Sequence, residues 1–282
     1  MKTRIFTSLF LAVLLLAFSS NGIALAASSA ASGDGNGKRV CAGPEAAGGA
    51  RCHAWVKPNA STSPVGLTPA VIKAAYGFST SNTAGAGKTV AIVDAYDLST
   101  AESDLNVFSQ QFGLPACTTA NGCFKKVSQT GSTKYPKYNA GWGLEIALDI
   151  EWAHAIAPGA KILLVEASSS TFANLLAAED YAAAHAQYVS NSWGGSEFSG
   201  ETSYDSHFVR SGVSFFVSAG DAGLPAEYPS SSPKVISVGG TLLTFNPDGS
   251  LNSETGWTSG GGGCSKYETA VSPNLRSTAM LR

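Results

Sequence analysis

Charged residues are scarce in this sequence. Asp, Glu, Lys and Arg make up 13% of the 282 residues, and the formal net charge is −2, or −4 without Lys2 and Arg4. The sequence therefore lacks the polybasic footprint of a nucleic-acid-binding protein, and we expect no nucleic-acid partner. The 31 glycines instead favour a compact enzyme with tight turns and close packing of helices on a sheet.

Long apolar runs are also scarce, and the single one stands at the start of the chain. A basic start, Met1–Arg4, precedes the apolar run Ile5–Phe18 and an A-x-A pattern at Ala24–Ala26. This order is typical of a secretory signal peptide, predicted over 1–26, with a retained anchor as the alternative. No later segment reaches the roughly 20 apolar residues that a membrane-spanning helix needs. We expect a secreted, extracellular protein with no membrane partner after signal removal.

Cysteine is limited to five residues, an odd number for a protein of an oxidising compartment. Proximity suggests that Cys117 bonds Cys123 and that Cys41 bonds Cys52, although four cysteines allow three connectivities. Cys264 is left over, as a free thiol or as the partner of a residue outside this sequence.

Strand and helix patterns alternate after a leader without periodicity. We interpret 27–66, rich in Ala, Gly, Ser and Pro, as a low-complexity leader arm, and 67–282 as the main domain. Short apolar strands separated by helices predict an α/β fold, a mainly parallel sheet of about seven strands with helices on both faces. Ligands of such sheets bind at the carboxyl ends of the strands. Asp94, the turn at Ser192–Gly194 and Asp221 follow strands in this way.

Two carboxylates lie four residues apart in the helical segment GWGLEIALDIEWAHAIAPG. Glu145 and Asp149 share one helix face, and no Lys or Arg lies three or four positions from either. A solvated stripe is one interpretation, but Trp152 and Ile156 continue the same face. In a cleft the two acids would share a proton and raise one pKa. Such a pair can act as a general base under mildly acidic conditions, where imidazole is protonated.

Asp221 lies in a second candidate segment, SAGDAG, where glycines let another backbone approach the carboxyl group. An ordinary Asx turn is the alternative. The segment SNSWGG, which contains Ser192, Trp193 and Gly194, ends a strand in an open turn that can pair with an extended peptide.

Other enzyme signatures are missing. The segment AGAGKT lacks the first glycine of a phosphate-binding loop and precedes a strand instead of following one. No G-x-S-x-G occurs, which disfavours an α/β-hydrolase. The four histidines show no zinc-ligand spacing.

The segments GLEIALD, SNSWGG, SAGDAG and SVGGT together resemble the sedolisins, serine-carboxyl peptidases with a subtilisin-like fold. The resemblance runs from about Leu67 to Ser265. It implies that Glu145 is the general base, that Asp149 orients and tunes it, and that Asp221 helps to form the oxyanion hole. It also implies that Ser192, Trp193 and Gly194 pair with the substrate. The implied function is that of a secreted, monomeric endopeptidase acting on peptides or denatured proteins in acid.

The sequence departs from the family pattern at the nucleophile. Sedolisins carry it in a G-T-S-x-x-x-P segment, which this sequence does not contain, and Ser265 has neither the preceding Thr nor the following Pro. The family's calcium site would also lie beyond the matched residues, so we expect no metal or other cofactor in this chain. The leader is shorter than the family's usual propeptide. We therefore expect a peptidase domain that is incomplete at its C-terminus and that has no peptidase activity by itself. The alternative is a non-catalytic protein that binds peptides in the same groove.

Overall fold

The structure, a computed structural model, describes residues 37–41, 48–56 and 66–270. The signal peptide assigned to 1–26 lies outside the described residues. In chain order the strands are β1 (Lys38–Arg39), β2 (Arg51–Cys52), β3 (Trp55–Val56), β4 (Thr89–Ala95), β5 (Phe124–Ser128), β6 (Lys161–Ala167), β7 (Tyr188–Asn191), β8 (Trp193–Ser196), β9 (Ser214–Ser218), β10 (Glu227–Tyr228), β11 (Ile236–Val238), β12 (Thr241–Phe245) and β13 (Leu251–Gly256). The helices are α1 (Pro69–Tyr76), α2 (Ala101–Phe112), α3 (Ala140–Ile156) and α4 (Phe172–His185), with a 3₁₀ helix at Glu201–Phe208.

A parallel sheet of six strands forms the centre, in the order β11-β9-β7-β4-β6-β5. Alternate side chains of its central strand, β4, point to opposite faces of the sheet, and both faces are covered. Ala91, Val93 and Ala95 pack in one cluster with α4, whereas Ile92 packs in a second cluster with α2 and α3. This arrangement confirms the predicted α/β fold with helices on both faces.

Side-chain caps mark the starts of α1 and α3. The Thr68 side chain accepts a hydrogen bond from the backbone N–H of Val71 at the start of α1, and Pro69 occupies the first turn. The Asn139 side chain accepts from the N–H groups of Gly141 and Trp142 at the start of α3. These bonds satisfy amide groups that would otherwise lack a partner at a helix start.

Two isoleucines orient α3 on the sheet. Ile146 and Ile150 are fully buried against Ile92 and Leu164. Burying each side chain contributes about 1.5–3 kcal/mol. Because each isoleucine directly follows one of the two acids, this packing also determines the direction in which Glu145 and Asp149 project.

The segment 188–196 forms two strands. β7 joins the central sheet, whereas β8 lies in a separate sheet of order β10-β8-β2. Ser192 stands between the two strands. Trp193 is buried, and its indole N–H donates to the carbonyl oxygen of Val93 at 2.9 Å, which ties β8 to the end of β4.

Both neighbouring cysteine pairs form disulfides. The Cα atoms of Cys41 and Cys52 are 5.5 Å apart, and those of Cys117 and Cys123 are 4.9 Å apart. Cys264 is free and exposed. The late hairpin of β12 and β13 turns at residues 246–250. Within the described ranges, no helix combines the length and apolarity needed to cross a membrane.

Candidate active site

Four acidic side chains lie near enough to one another at the carboxyl end of the central sheet for their charges to affect one another's pKa values. Glu145 and Asp149 come from α3, Asp94 from the end of β4, and Asp221 from the loop after β9. Asp149 and Asp221 both raise the pKa of Glu145, and Asp149 and Glu145 both raise the pKa of Asp94. The structure therefore brings the three acids predicted from the sequence into one electrostatically coupled group.

Glu145 is almost completely buried, with 2% of its surface exposed. Burial, and next the charge of Asp149, hold the pKa of its carboxyl well above the ordinary value. The backbone of Ala54 and His53, which lies against the carboxyl, opposes this shift. A carboxyl in this setting holds its proton to a higher pH than an exposed one.

Asp149 is held by one hydrogen bond. The Ser192 hydroxyl donates to its Oδ1 at 2.9 Å, whereas Oδ2 is buried without a hydrogen-bond partner among the described residues. Burial raises the pKa of Asp149 to about 7, although the Ser192 bond and the nearby His53 lower it. Asp149 also borders a largely apolar groove of about 650 Å³, whose further lining residues are Leu67, Ile72, Val90, Ile92, Leu148, Trp152, Ala153 and Ser190.

Asp94 also belongs to this group of acids. The sequence predicts its position at the end of a strand but no role for it. It is fully buried, and neither carboxyl oxygen has a hydrogen-bond partner in the part of the chain that the structure describes. Burial, followed by the charges of Asp149, Glu145 and Glu166, holds its pKa well above the ordinary value. Asp94 is therefore expected to carry a proton together with the Glu145 and Asp149 pair.

Asp221 lies in a turn that the glycines allow. Gly220 and Gly223 on either side adopt the left-handed conformation, with φ of 100° and 71°. The Trp55 indole N–H donates to Asp221 Oδ2 at 2.6 Å, and the Arg39 guanidinium donates to the Asp221 backbone oxygen. Burial raises the pKa of Asp221, against the opposing effects of His53, Trp55 and Arg39.

The segment SNSWGG pairs with an extended peptide, and that peptide is the chain's own leader. β2 runs antiparallel to β8, with Arg51 opposite Gly194 and Cys52 opposite Trp193. The N–H of His53 then donates to the carbonyl oxygen of Ser192 at 3.1 Å. The leader thus runs across the group of acids, and the backbone around His53 and Ala54 lies against Glu145.

His53 fills a polar recess beside this strand. Its Nδ1 lies 2.5 Å from Ser218 Oγ, and its Nε2 lies 3.0 Å from Glu227 Oε2. The Arg51 guanidinium also donates to Glu227, at 2.8 Å. The sequence did not identify these residues as part of the site. The one available signal was Cys52, because a disulfide to Cys41 constrains the chain directly before His53.

Ser265 has a local structural role. Its hydroxyl oxygen accepts hydrogen bonds from the backbone N–H groups of Tyr267 and Glu268, at 3.0 and 2.8 Å. Neither partner belongs to the group of acids, and this arrangement is that of a local turn.

One close group of potential metal ligands occurs among the described residues, and its chemistry does not suit calcium. This group consists of Cys117, Cys123 and His154. The two cysteines are joined in a disulfide, and calcium binds oxygen ligands. His154 Nε2 moreover lies 2.8 Å from the carbonyl oxygen of Pro115.

Comparisons with known proteins identify peptidases to which this chain is similar. A model of the subtilase family of peptidases matches residues 136–275. Kumamolisin of Bacillus sp. (strain MN-32) is 31% identical over 235 residues, which are 73% of this chain and 41% of kumamolisin. The Pseudomonas sedolisin structure, a serine-carboxyl proteinase complexed with two molecules of pseudo-iodotyrostatin, matches with a TM-score of 0.58 and 26% identity.

The matches cover only part of this chain and only part of each relative. The structural match covers 68% of this chain and 58% of the sedolisin chain. This chain thus spans less than two thirds of either relative. The shared fold, the matched segments and the grouped acids lead to one assignment: the chain belongs to the sedolisin family of serine-type peptidases, within the subtilisin-like superfamily.

Proposed function

We propose that this chain provides the acid residues and the substrate strand of a secreted serine-carboxyl endopeptidase that hydrolyses peptide bonds in acidic conditions. The observation that carries the proposal is the leader itself. It lies in the cleft as an extended peptide, paired with β8, with the backbone around His53 and Ala54 against the carboxyl of Glu145.

Glu145 is the proposed general base, and Asp149 orients it. A general base works best when its pKa lies near the working pH. Burial and the neighbouring charge of Asp149 raise the pKa of Glu145 in this direction. Asp149 is in turn held by the Ser192 hydroxyl at 2.9 Å, so its position is linked to that of the substrate strand.

Asp221 is the proposed donor to the oxyanion that forms when the peptide carbonyl is attacked. A carboxyl group donates a hydrogen bond only when it is protonated, and burial raises the pKa of Asp221. Ser192, Trp193 and Gly194 are proposed to bind the substrate backbone as they bind the leader. In this arrangement the leader occupies the place of a peptide or denatured protein substrate.

The serine nucleophile is proposed to come from a G-T-S-x-x-x-P segment, which the printed sequence does not contain. The largely apolar groove bordered by Asp149 is the proposed docking place of that segment, because it joins an apolar surface to the acid pair. The 282-residue polypeptide alone is then expected to leave peptides uncut, since nucleophile and base act as a unit. The alternative is a protein that binds peptides without cutting them. The leader bound in the cleft is compatible with this function as well.

The test is cleavage of denatured protein between pH 3 and 7, with the polypeptide alone and after fusion to the C-terminal part of kumamolisin that this chain does not match. We expect no cleavage by the polypeptide alone and acid-dependent cleavage by the fusion. Glu145→Gln should abolish cleavage by the fusion, whereas Glu151→Gln on the same helix should not. Cleavage that survives Glu145→Gln would overturn the assignment. A folded fusion that binds peptide but never cuts it would favour the alternative.

A further inference from the structure

A buried carboxylate, Glu227, forms the end of the recess that receives His53. Glu227 lies on β10, which pairs with β8 on the side opposite the leader strand β2. Two glycines leave room for its side chain. A Cβ atom on Gly194 would lie 2.9 Å from Glu227 Oε2, and one on Gly220 would lie 2.8 Å from its carboxyl carbon. The carboxylate is therefore enclosed by backbone on two sides.

Two basic side chains of the leader meet at this carboxylate. The Arg51 guanidinium donates to Oε1 at 2.8 Å, and His53 Nε2 lies 3.0 Å from Oε2. Alternate side chains of an extended strand share one face, which explains why residues two apart reach the same acid. Cys52, between them, bonds Cys41 instead.

The leader thus supplies both ion-pair partners that the described residues give Glu227. The side chain of Glu227 is 8% exposed. Burial alone would raise the pKa of Glu227, but His53 and Arg51 hold it below the ordinary value. A carboxylate as buried as this one is costly to leave unpaired. The recess therefore favours an occupant that brings positive charge.

We propose that Glu227 determines the substrate specificity of this cleft. It selects peptides that carry one basic side chain at the position of His53 and a second at the position of Arg51. The position of His53 is the one next to the backbone that lies against Glu145. The proposal rests on the proposed function in that it assigns the cleft to peptide substrates. The ligand class is a short extended peptide with the pattern basic–x–basic.

Binding tests the proposal without cleavage. The full 282-residue chain carrying Arg51→Ala and His53→Ala, which weaken the leader's hold, is titrated at pH 5 with a fluorescent peptide of residues 50–56 containing alanine at the position of Cys52. We expect measurable binding, and about tenfold weaker binding when leucine replaces the histidine, as for loss of a charge-assisted hydrogen bond. In the Glu227→Gln background the two peptides should bind equally. Asp248→Asn, at an exposed turn, should preserve the tenfold difference.

A second measurement needs no change to the leader. Amide hydrogen exchange of residues 50–56 in the otherwise unmodified chain should become about tenfold faster on Glu227→Gln, and should not change on Asp248→Asn. Equal binding of the histidine and leucine peptides, or leader exchange insensitive to Glu227→Gln, would overturn the proposal. If the kumamolisin fusion never cuts but the basic peptide binds selectively, the function fails and the specificity stands. If the fusion cuts both peptides equally, the specificity fails and the function stands.

Discussion

Ser192 donates its hydroxyl hydrogen bond to Asp149 across 2.9 Å. This bond connects the acid pair on α3 to the strand that holds the leader. Ser192 stands between β7 and β8, where the chain passes from the central sheet to the sheet containing the leader.

Ser192→Ala should raise the pKa of Asp149 further, because the hydroxyl stabilises the ionised form. Carboxyl carbon chemical shifts followed by NMR through a pH titration measure this. Ser203→Ala, whose hydroxyl donates to the carbonyl oxygen of Gly200 on the surface, is the matched control. An unchanged or lower Asp149 pKa in Ser192→Ala would show that the bond does not tune the acid.

The protein should become less stable as the pH rises from about 4 to 8. Burial raises the pKa of Glu179 to about 8 and that of Glu166 also to about 8. A carboxyl with a raised pKa binds its proton more tightly in the folded state than in the unfolded state. Stability is thus greatest below the unfolded pKa and is lost as the pH rises from the unfolded pKa to the folded pKa, by at most about 1.4 kcal/mol per pH unit and group. Urea unfolding at several pH values measures the slope.

Glu179→Gln isolates one contribution to that slope. The variant should increase the free energy of unfolding by about 1–3 kcal/mol at pH 7 and change it little at pH 4, because Gln needs no proton to stay neutral. Asp180→Asn, its exposed neighbour on α4, should change stability by less than about 1 kcal/mol at either pH. An equal effect of Glu179→Gln at both pH values would mean that ionisation of Glu179 does not account for the slope.

Replacing Cys41 and Cys52 with alanine should loosen the leader. The bond joins two cysteines with a sequence separation of 11. Removing a disulfide that closes a loop of this size lowers the free energy of unfolding by about 2–3 kcal/mol. Trypsin should then cut after Arg51 faster than in the unmodified chain. The same substitutions at Cys117 and Cys123 should lower global stability without selectively exposing Arg51. Equal rates of cutting in both variants would argue against a role for the first disulfide in holding the leader.

Gly195→Ala should displace the leader by direct contact. A Cβ atom at this position would lie 2.5 Å from the backbone oxygen of Gly49, which is too close for a side chain. We expect about tenfold faster amide exchange at Ala50–Cys52, detected by mass spectrometry. Gly239→Ala, where an added Cβ meets nothing within 4 Å, should leave that exchange unchanged. Unaltered exchange in Gly195→Ala would mean that the leader adjusts without leaving the strand.

The elements that sequence predicts well here are those whose causes are local. The alternation of apolar strands with helices arises within a few residues, so it can be read along the chain. The stacking of Glu145 on Asp149 likewise follows from helical periodicity.

The leader's contacts could not be read in this way. His53 meets Ser218 and Glu227, which are more than 160 positions away, and only the folded sheet brings them together. Asp94 was visible at the end of a strand, but its complete burial depends on α3 covering it. The recess beside Gly194 and Gly220 exists because glycine has no side chain to fill it. No local sequence pattern indicates such a recess.

The Cys41–Cys52 bond has a topological consequence. Both sulfur atoms precede His53, so any break of the chain after Cys52 leaves them on the same fragment. The disulfide gives that fragment a closed ring but no covalent link to the rest of the molecule. If the break follows Val56, the time that the fragment stays in place would depend on the pairing of β2 with β8 and on the ion pairs to Glu227. The ring would leave as one preformed piece, able to return to the strand that it left.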